Sequence, residues 1–242
     1  MLILGATSEI SKAFIEECLK KGEKFENIHL ITSNKKETEI FSNHLRIKHS
    51  QQTTITELDL LNENNNYDFL NNLDFDLVFC ATGYLGMDVE NGLYNNQNTT
   101  KIIEINYSKL VVLLNEIAHK LENKKRGTII ILSSIAGERG RKSNFIYGSA
   151  KAAITAYASG LRNYLADKGV HVMTVIPGFM NTKMTSHLSL PKPITASPEQ
   201  AASSIYKSFK KKKDVVYVLW MWKYIKLIIT NIPEFIFKKL SL

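Results

Sequence analysis

Tyr147 and Lys151 lie four residues apart in a stretch whose apolar spacing predicts a helix over residues 144–167, so the phenol and the ammonium share one helical face. A cation on that face is expected to lower the phenol from its usual pKa of about 10, making Tyr147 a proton donor or acceptor near neutrality. Ser134 ends a predicted strand 13 residues before the tyrosine, a spacing that returns the chain from the strand end to the helix beside it. Its hydroxyl can then hold the oxygen atom with which Tyr147 exchanges a proton.

Such groups need a frame to position them. Short β-branched runs at residues 2–4, 28–31, 53–58, 77–80, 128–133, 171–176 and 215–219 alternate with helical patterns at 10–21, 36–48, 65–71, 100–122, 144–167 and 198–209. The alternation predicts an α/β fold, a doubly wound parallel sheet of about seven strands covered on both faces. No repeat and no linker rich in Pro, Gly or Ser divides the chain. One domain over residues 1–219 is expected, with an appended basic, aromatic segment at 220–242. Ligands of such sheets bind outside the carboxyl ends of the strands, so the residues just past each strand carry the argument.

Past the first strand, Gly5-Ala6-Thr7-Ser8-Glu9-Ile10-Ser11 runs from a glycine turn into a helix, whose amino terminus can hold a pyrophosphate on backbone N–H groups. Glu9 and Ser11 stand where a three-glycine fingerprint has its second and third glycines. A carboxylate facing phosphates repels them, so the fit of this turn, Glu9 included, to a cofactor depends on the carboxylate pointing away into solvent. The alternative is an ordinary turn capped by Thr7 or Ser8. Asp59, followed by Leu60, ends the third strand and can accept a hydrogen bond from an adenine amino group. Ala81-Thr82-Gly83, past the fourth, lets the backbone approach a ribose or phosphate closely. Pro177-Gly178 follows the sixth, with Thr182 beyond it as a hydroxyl ligand. Together these positions describe a dinucleotide groove. Past the second strand, Ser33-Asn34-Lys35-Lys36 offers no acid to a ribose 2′-hydroxyl, so Ser33 and Lys35 favour NADPH over NADH.

The 242 residues carry a formal charge of +8, with 44% hydrophobic residues. That composition excludes collagen-like, disulfide-scaffold and disordered classes. The charge is concentrated: from Lys207 onward there are nine lysines and two acids. There the lysines are interleaved with Trp220, Trp222, Tyr224, Phe235 and Phe237, which suits a segment lying in a bilayer interface; the alternative is packing on the fold or a partner subunit. The lysines at 210–213 have no aromatic platform, so no nucleic-acid partner is expected. Cys18 and Cys80, far apart among apolar neighbours, read as thiols of a reduced, cytoplasmic chain. No signal peptide or membrane span is expected, because a glycine turn follows Leu4 and lysines 223 and 226 interrupt the most apolar run. The histidines show no metal-ligand spacing, and no metal is expected.

Ser134 with Tyr147-x-x-x-Lys151, the glycine turn, Ala81-x-Gly83 and Pro177-Gly178 resembles the short-chain dehydrogenase/reductase family over residues 1 to about 220. The resemblance implies a Rossmann-like fold, NAD or NADP as cofactor, and a catalytic tetrad of Asn106, Ser134, Tyr147 and Lys151. Tyr147 and Lys151 are also implied to contact the cofactor, and an oligomer of identical chains is implied. The run from Gly137 to Ser149, with the Thr7-Ser8-Glu9-Ile10 turn, is similar to the bacterial decaprenylphosphoryl 2-keto-ribose reductases. Those act on a polyprenyl-phosphate-linked pentose after a flavin-dependent oxidase. This narrower resemblance implies a lipid-linked sugar substrate, an oxidase partner and contact with the inner face of the cytoplasmic membrane. Arg139, Ser143 and Asn144 are then expected at the substrate, where arginine suits a phosphodiester, or else in a solvated or subunit-contacting loop. Two rivals stand beside it: a 3-oxoacyl thioester reductase, and a non-catalytic scaffold that retains the dinucleotide fold.

Overall fold

The structure, a computed structural model, describes residues 1–240. The chain runs β1 (Leu2–Leu4), α1 (Glu9–Lys20), β2 (Ile28–Thr32), α2 (Lys35–His49), β3 (Thr53–Glu57), β4 (Leu77–Cys80), α3 (Val89–Gly92), α4 (Asn96–Ile103), α5 (Lys109–Lys124), β5 (Gly127–Leu132), α6 (Phe145–Leu165), β6 (Val170–Ile176), β7 (Phe179–Met180), β8 (Thr195–Ala196), α7 (Pro198–Lys210), β9 (Val215–Tyr217), α8 (Met221–Asn231) and α9 (Glu234–Phe237). Seven strands form one parallel sheet in the order β3-β2-β1-β4-β5-β6-β9, and β7 pairs with β8 beside it. This is the doubly wound, Rossmann-like arrangement that the alternation and the resemblance called for.

The strands read as continuous apolar runs because both faces of the sheet are covered. Ile3, Leu30, Phe79 and Ile130 pack with Phe14 of α1 and Ile205 of α7. The alternate positions Leu2, Leu4, Val78, Ile129 and Ile131 pack with Leu113 and Ile117 of α5 and Ile154 of α6. From β1 the chain winds outward to β3, then returns to β4 on the other side of β1 and winds outward to β9. The crevice past the ends of β1 and β4 is where such a reversal leaves room for a ligand.

The turn past β1 lies directly on the turn past β4. Gly5 has φ +81, and a Cβ on it would stand 3.0 Å from the Thr82 nitrogen and 3.1 Å from the Ala81 carbonyl carbon. Ser11, where a third glycine was expected, is buried and donates to the Gly5 carbonyl at 2.9 Å, so its hydroxyl is accommodated.

Two elements differ from the sequence expectation. The helix expected over 65–71 is a 3-10 turn at Asp68–Asn72. The helix expected over 100–122 begins earlier and is broken by a π turn at Glu104–Ser108 between α4 and α5. Asn106 causes the break: its buried Nδ2 donates to Ile102 O at 2.9 Å, competing with the helix ladder, and to Tyr84 O at 2.7 Å. Its Oδ1 accepts from Tyr84 N at 3.2 Å, which ties the turn to the loop past β4.

Of the segment 220–242, residues 241 and 242 lie outside the described residues. The rest folds back on the domain along an inner face that buries Trp222 and Phe237, while Trp220, Tyr224, Leu227, Ile228 and Phe235 are exposed on the outer face. Replacing Gly5 with Ala is expected to cost about 2 kcal/mol, from the strained backbone and the contact with Thr82. Chemical denaturation checks this, and a loss no larger than that of an ordinary surface substitution would contradict it.

Candidate active site

The end of β5 is stitched to α6 by Ser133. Its hydroxyl donates to Lys151 O at 2.9 Å and meets Thr155 Oγ1 at 2.5 Å. Ser134, the next residue, caps a 3-10 turn at Ile135–Gly137, with its Oγ accepting from Ala136 N at 3.1 Å. Ile135 N donates to Pro177 O at 2.8 Å, which fastens the same turn to the end of β6. The serine is thereby held beside the first turn of α6.

Tyr147, in that first turn, lies near Ser134. Burial pushes its phenol up to about 12, against the smaller opposing effect of the serine. One turn on, the buried Lys151 places its Nζ 5.7 Å from the Tyr147 ring centre and 3.3 Å from Leu132 O. Desolvation lowers this ammonium to about 8, with Cys80 acting the other way. The expectation that Lys151 pulls the phenol toward neutrality is therefore corrected for the protein alone: burial governs both groups. At pH 7 the tyrosine is a proton donor and the lysine a cation. Asn106 closes the constellation, since the place of a Cβ on Gly83 lies 3.1 Å from Asn106 Oδ1 and 3.4 Å from Lys151 Nζ.

Beside these residues a cleft past β1, β2, β3 and β4 is lined by Gly5, Thr7, Ser33, Asp59, Leu60 and Thr82. Ile105 also lines it, although no sequence signal singled that residue out. Ser8 stands at the N-cap of α1 without a side-chain capping bond, whereas Asn34 and Ser197 cap α2 and α7. The uncapped amino terminus and the close approach at Gly5 form a cradle that fits the pyrophosphate of a dinucleotide. Glu9 does turn away from the cradle, but into protein instead of solvent: its Oε2 accepts from Lys183 N at 2.6 Å. Ile10 is buried in the core beneath it. Asp59 Oδ1 accepts from Leu61 N at 3.0 Å. Ala81 N donates to Leu4 O at 2.9 Å, within the sheet. Thr182 is half-buried, its hydroxyl 3.3 Å from that of Thr185, and the Trp222 indole covers Gly178.

At the second strand, Ser33 and Lys35 are exposed. An acid was overlooked there: Glu37, in the first turn of α2, pairs with Lys12 at 2.7 Å and Lys183 at 3.5 Å. Those lysines hold its carboxyl below the usual range, and the surroundings stay cationic.

The substrate side departs furthest from expectation. Arg139 is directed to the carboxy-terminal segment, donating from Nη1 to Ile229 O at 2.6 Å and Ile232 O at 2.7 Å, and from Nη2 to Glu234 at 2.8 Å. Its donors are engaged within the protein, so a substrate role for it is withdrawn. Ser143 is exposed, and Asn144 precedes α6 with a buried Oδ1 that has no hydrogen-bond partner.

A family model described as short chain dehydrogenase matches residues 1–192. The chain belongs to the short-chain dehydrogenase/reductase family. An uncharacterized oxidoreductase of Mycobacterium tuberculosis, Rv2073c, is 31% identical over 160 residues, which are 66% of this chain and 64% of that relative's length. The 3-oxoacyl-[acyl-carrier-protein] reductase FabG of Rickettsia typhi is 29% identical over 191 residues, 78% of this chain and 75% of the relative. In fold, a short chain dehydrogenase from Burkholderia cenocepacia, solved in complex with NADP, matches with a TM-score of 0.81 over 100% of this chain and 96% of its own, at 19% identity. Among the described residues no group of His, Cys, Asp and Glu is arranged to hold a metal ion, and no helix is long and apolar enough to cross a membrane.

Lys151 has a direct consequence for stability. Below about pH 8 the folded protein buries a charge that the unfolded chain leaves in water; between about 8 and 10.5 only the unfolded chain binds that proton, so stability rises with pH across this window. Replacing Lys151 with Met is expected to stabilise the protein alone by about 1–3 kcal/mol at pH 7, with the advantage shrinking above pH 8. Thermal unfolding at pH 7 and pH 9.5 checks both sign and window.

Proposed function

We propose that the protein is an NADPH-dependent reductase of a ketone, with Tyr147 as proton donor. The observation that carries the reading is that the half-buried Ser134 and Tyr147 stand with the buried Lys151 beside a cleft that fits a dinucleotide. Gly5, Thr7, Ser8, Asp59 and Thr82 would hold the dinucleotide, with Lys35, Lys12 and Lys183 favouring a 2′-phosphate. When bound, that cofactor supplies a hydride.

Ser134 orients the substrate oxygen and polarises the carbonyl. As the carbonyl carbon gains the hydride and its electron pair, the oxygen takes the phenolic proton of Tyr147, leaving an alcohol and a phenolate. The Lys151 ammonium stabilises that phenolate at the moment it forms. Asn106, fixed in the π turn, positions a water through which the phenolate is reprotonated. The high phenol pKa keeps the donor loaded at neutral pH.

For the substrate we propose a 2-keto-pentose carried on a polyprenyl phosphate, supplied by a flavin-dependent sugar oxidase. The Thr7-Ser8-Glu9-Ile10 turn and the run from Gly137 to Ser149 support this. The exposed face of Trp220, Tyr224, Leu227 and Ile228, flanked by lysines 223, 238 and 239, would rest on the inner face of the cytoplasmic membrane, where such a lipid resides. An oligomer of identical chains is the expected working unit. The relatives named as 3-oxoacyl-[acyl-carrier-protein] reductases favour a second reading, reduction of a 3-oxoacyl thioester.

NADPH oxidation with polyprenyl-phosphate 2-keto-pentose and with an acetoacetyl thioester separates the two readings, and no turnover of any ketone would leave only a scaffold. Tyr147→Phe is expected to lower kcat by about a hundredfold or more while leaving NADPH binding nearly intact. Ordinary turnover in that variant would overturn the assignment. Lys35→Glu is expected to weaken NADPH about tenfold relative to NADH, read from nicotinamide fluorescence.

A further inference from the structure

We propose that Glu138 and Arg139 are positioning residues that tie the Ser134 turn to α8 and α9, so that the carboxy-terminal segment is an arm of the catalytic site. The proposal rests on the ketone-reductase reading of that site.

The last carbonyls of α8 face Ile232 and Pro233, and a proline has no N–H with which to cap them. Arg139 supplies the cap. One nitrogen serves both Ile229 O and Ile232 O, with its positive charge at the negative end of the helix dipole. The other nitrogen pairs with Glu234, and the flat face of the guanidinium lies 3.6 Å from the ring centre of Phe237. With 16% of its side chain exposed, the arginine is spent on these contacts. A planar fork with a stacking face does this; a lysine ammonium cannot do all of it.

The preceding residue repeats the connection to other elements. Glu138 accepts from the Tyr217 hydroxyl of β9 at 3.0 Å and pairs with Lys226 of α8 at 2.9 Å. Ile135, the first residue of the turn, packs with Trp222, whose Nε1 donates to Ile194 O at 3.1 Å. Trp222 also meets Phe179 edge-on at 5.1 Å and covers Gly178. The segment therefore braces both the Ser134 turn and the loop past β6.

The turn itself is three residues long and cannot hold its own position. Ser133 fixes it to α6, Pro177 O fixes Ile135 to β6, and the remaining side is fixed by Glu138, Arg139 and Ile135 against the arm. Misplacing a catalytic hydroxyl by about 1 Å is enough to slow a reaction substantially. Loosening the arm is thus expected to cost turnover through Ser134, without disturbing the dinucleotide cleft past β1 to β4.

The test uses the full chain, with 2,3-butanedione and NADPH as probes, and places Arg139→Met in both the native and the Ser134→Ala backgrounds. The expected result is a fall in kcat of about tenfold in the native background and less than about twofold in Ser134→Ala, because the group being positioned is already gone. NADPH affinity stays within about twofold, and Arg139→Lys recovers part of kcat. Independently of any substrate, amide exchange in the peptide spanning 133–138 is expected to rise at least about tenfold in Arg139→Met, with α5 unchanged. Equal kcat losses in both backgrounds, or unchanged exchange in the turn, would overturn the proposal. If Arg139→Met does not fold, Glu234→Gln, which removes a single contact, must show the same background dependence on a smaller scale; its absence overturns the proposal equally. Failure of the reductase reading would appear differently, as no effect of Tyr147→Phe, while the exchange measurement would still report on the arm.

Discussion

The site depends on a buried ammonium with one close carbonyl partner. Lys151 is almost wholly enclosed, and its Nζ reaches Leu132 O at 3.3 Å. Burying a charge so sparsely compensated costs stability, and a methionine would fill the same space more favourably. The fold retains the charge by holding the lysine from several sides: Ser133 fixes its backbone, β5 delivers the carbonyl, and the Gly83 loop leaves room above it. Under the proposed reduction, the cation provides a local positive potential where the phenolate would form. In water the same charge would be screened; held out of water next to Tyr147, it is screened less.

The parallel sheet turns that local device into a site. Because every strand ends on the same side, Gly5, Asp59, Thr82, Ser134 and Pro177 converge although they come from the whole length of the family-matched region. The two halves of the sheet border different parts of the site: the ends of β1 to β4 border the cleft lined by Gly5, Asp59 and Thr82, and β5 leads into Ser134, beside the first turn of α6 that carries Tyr147. The carboxy-terminal segment completes the second half. Its inner face is tied to the Ser134 turn through Arg139 and to Gly178 through Trp222, and its outer face is left apolar and exposed.

What could be read in the sequence followed from local spacing. Tyr147 and Lys151 sit one helical turn apart, and Gly5 is required by a turn pressed against the neighbouring strand, so both announce themselves within a few residues. The alternation of strand and helix gave the sheet for the same reason. Features decided by partners far along the chain were misread. Arg139 resembles a phosphate ligand by type, but the carbonyls it caps lie 90 and 93 residues away. The direction of Glu9 is set by the Lys183 N–H, 174 residues on. The π turn at Asn106 depends on a hydrogen bond to Tyr84 that no helical pattern encodes. The phenol was assigned a lowered pKa from its neighbour alone, whereas enclosure by the whole site sets it.

The most direct measurement of the central claim is the titration of the Lys151 Nζ in the protein alone by heteronuclear NMR, with the resonance assigned by its loss in Lys151→Met. The account requires a midpoint near 8, the consequence of a charge held out of water beside Tyr147. A midpoint at the ordinary lysine value of 10.5 would mean that the ammonium is solvated, and the basis for its action on the phenol would be gone.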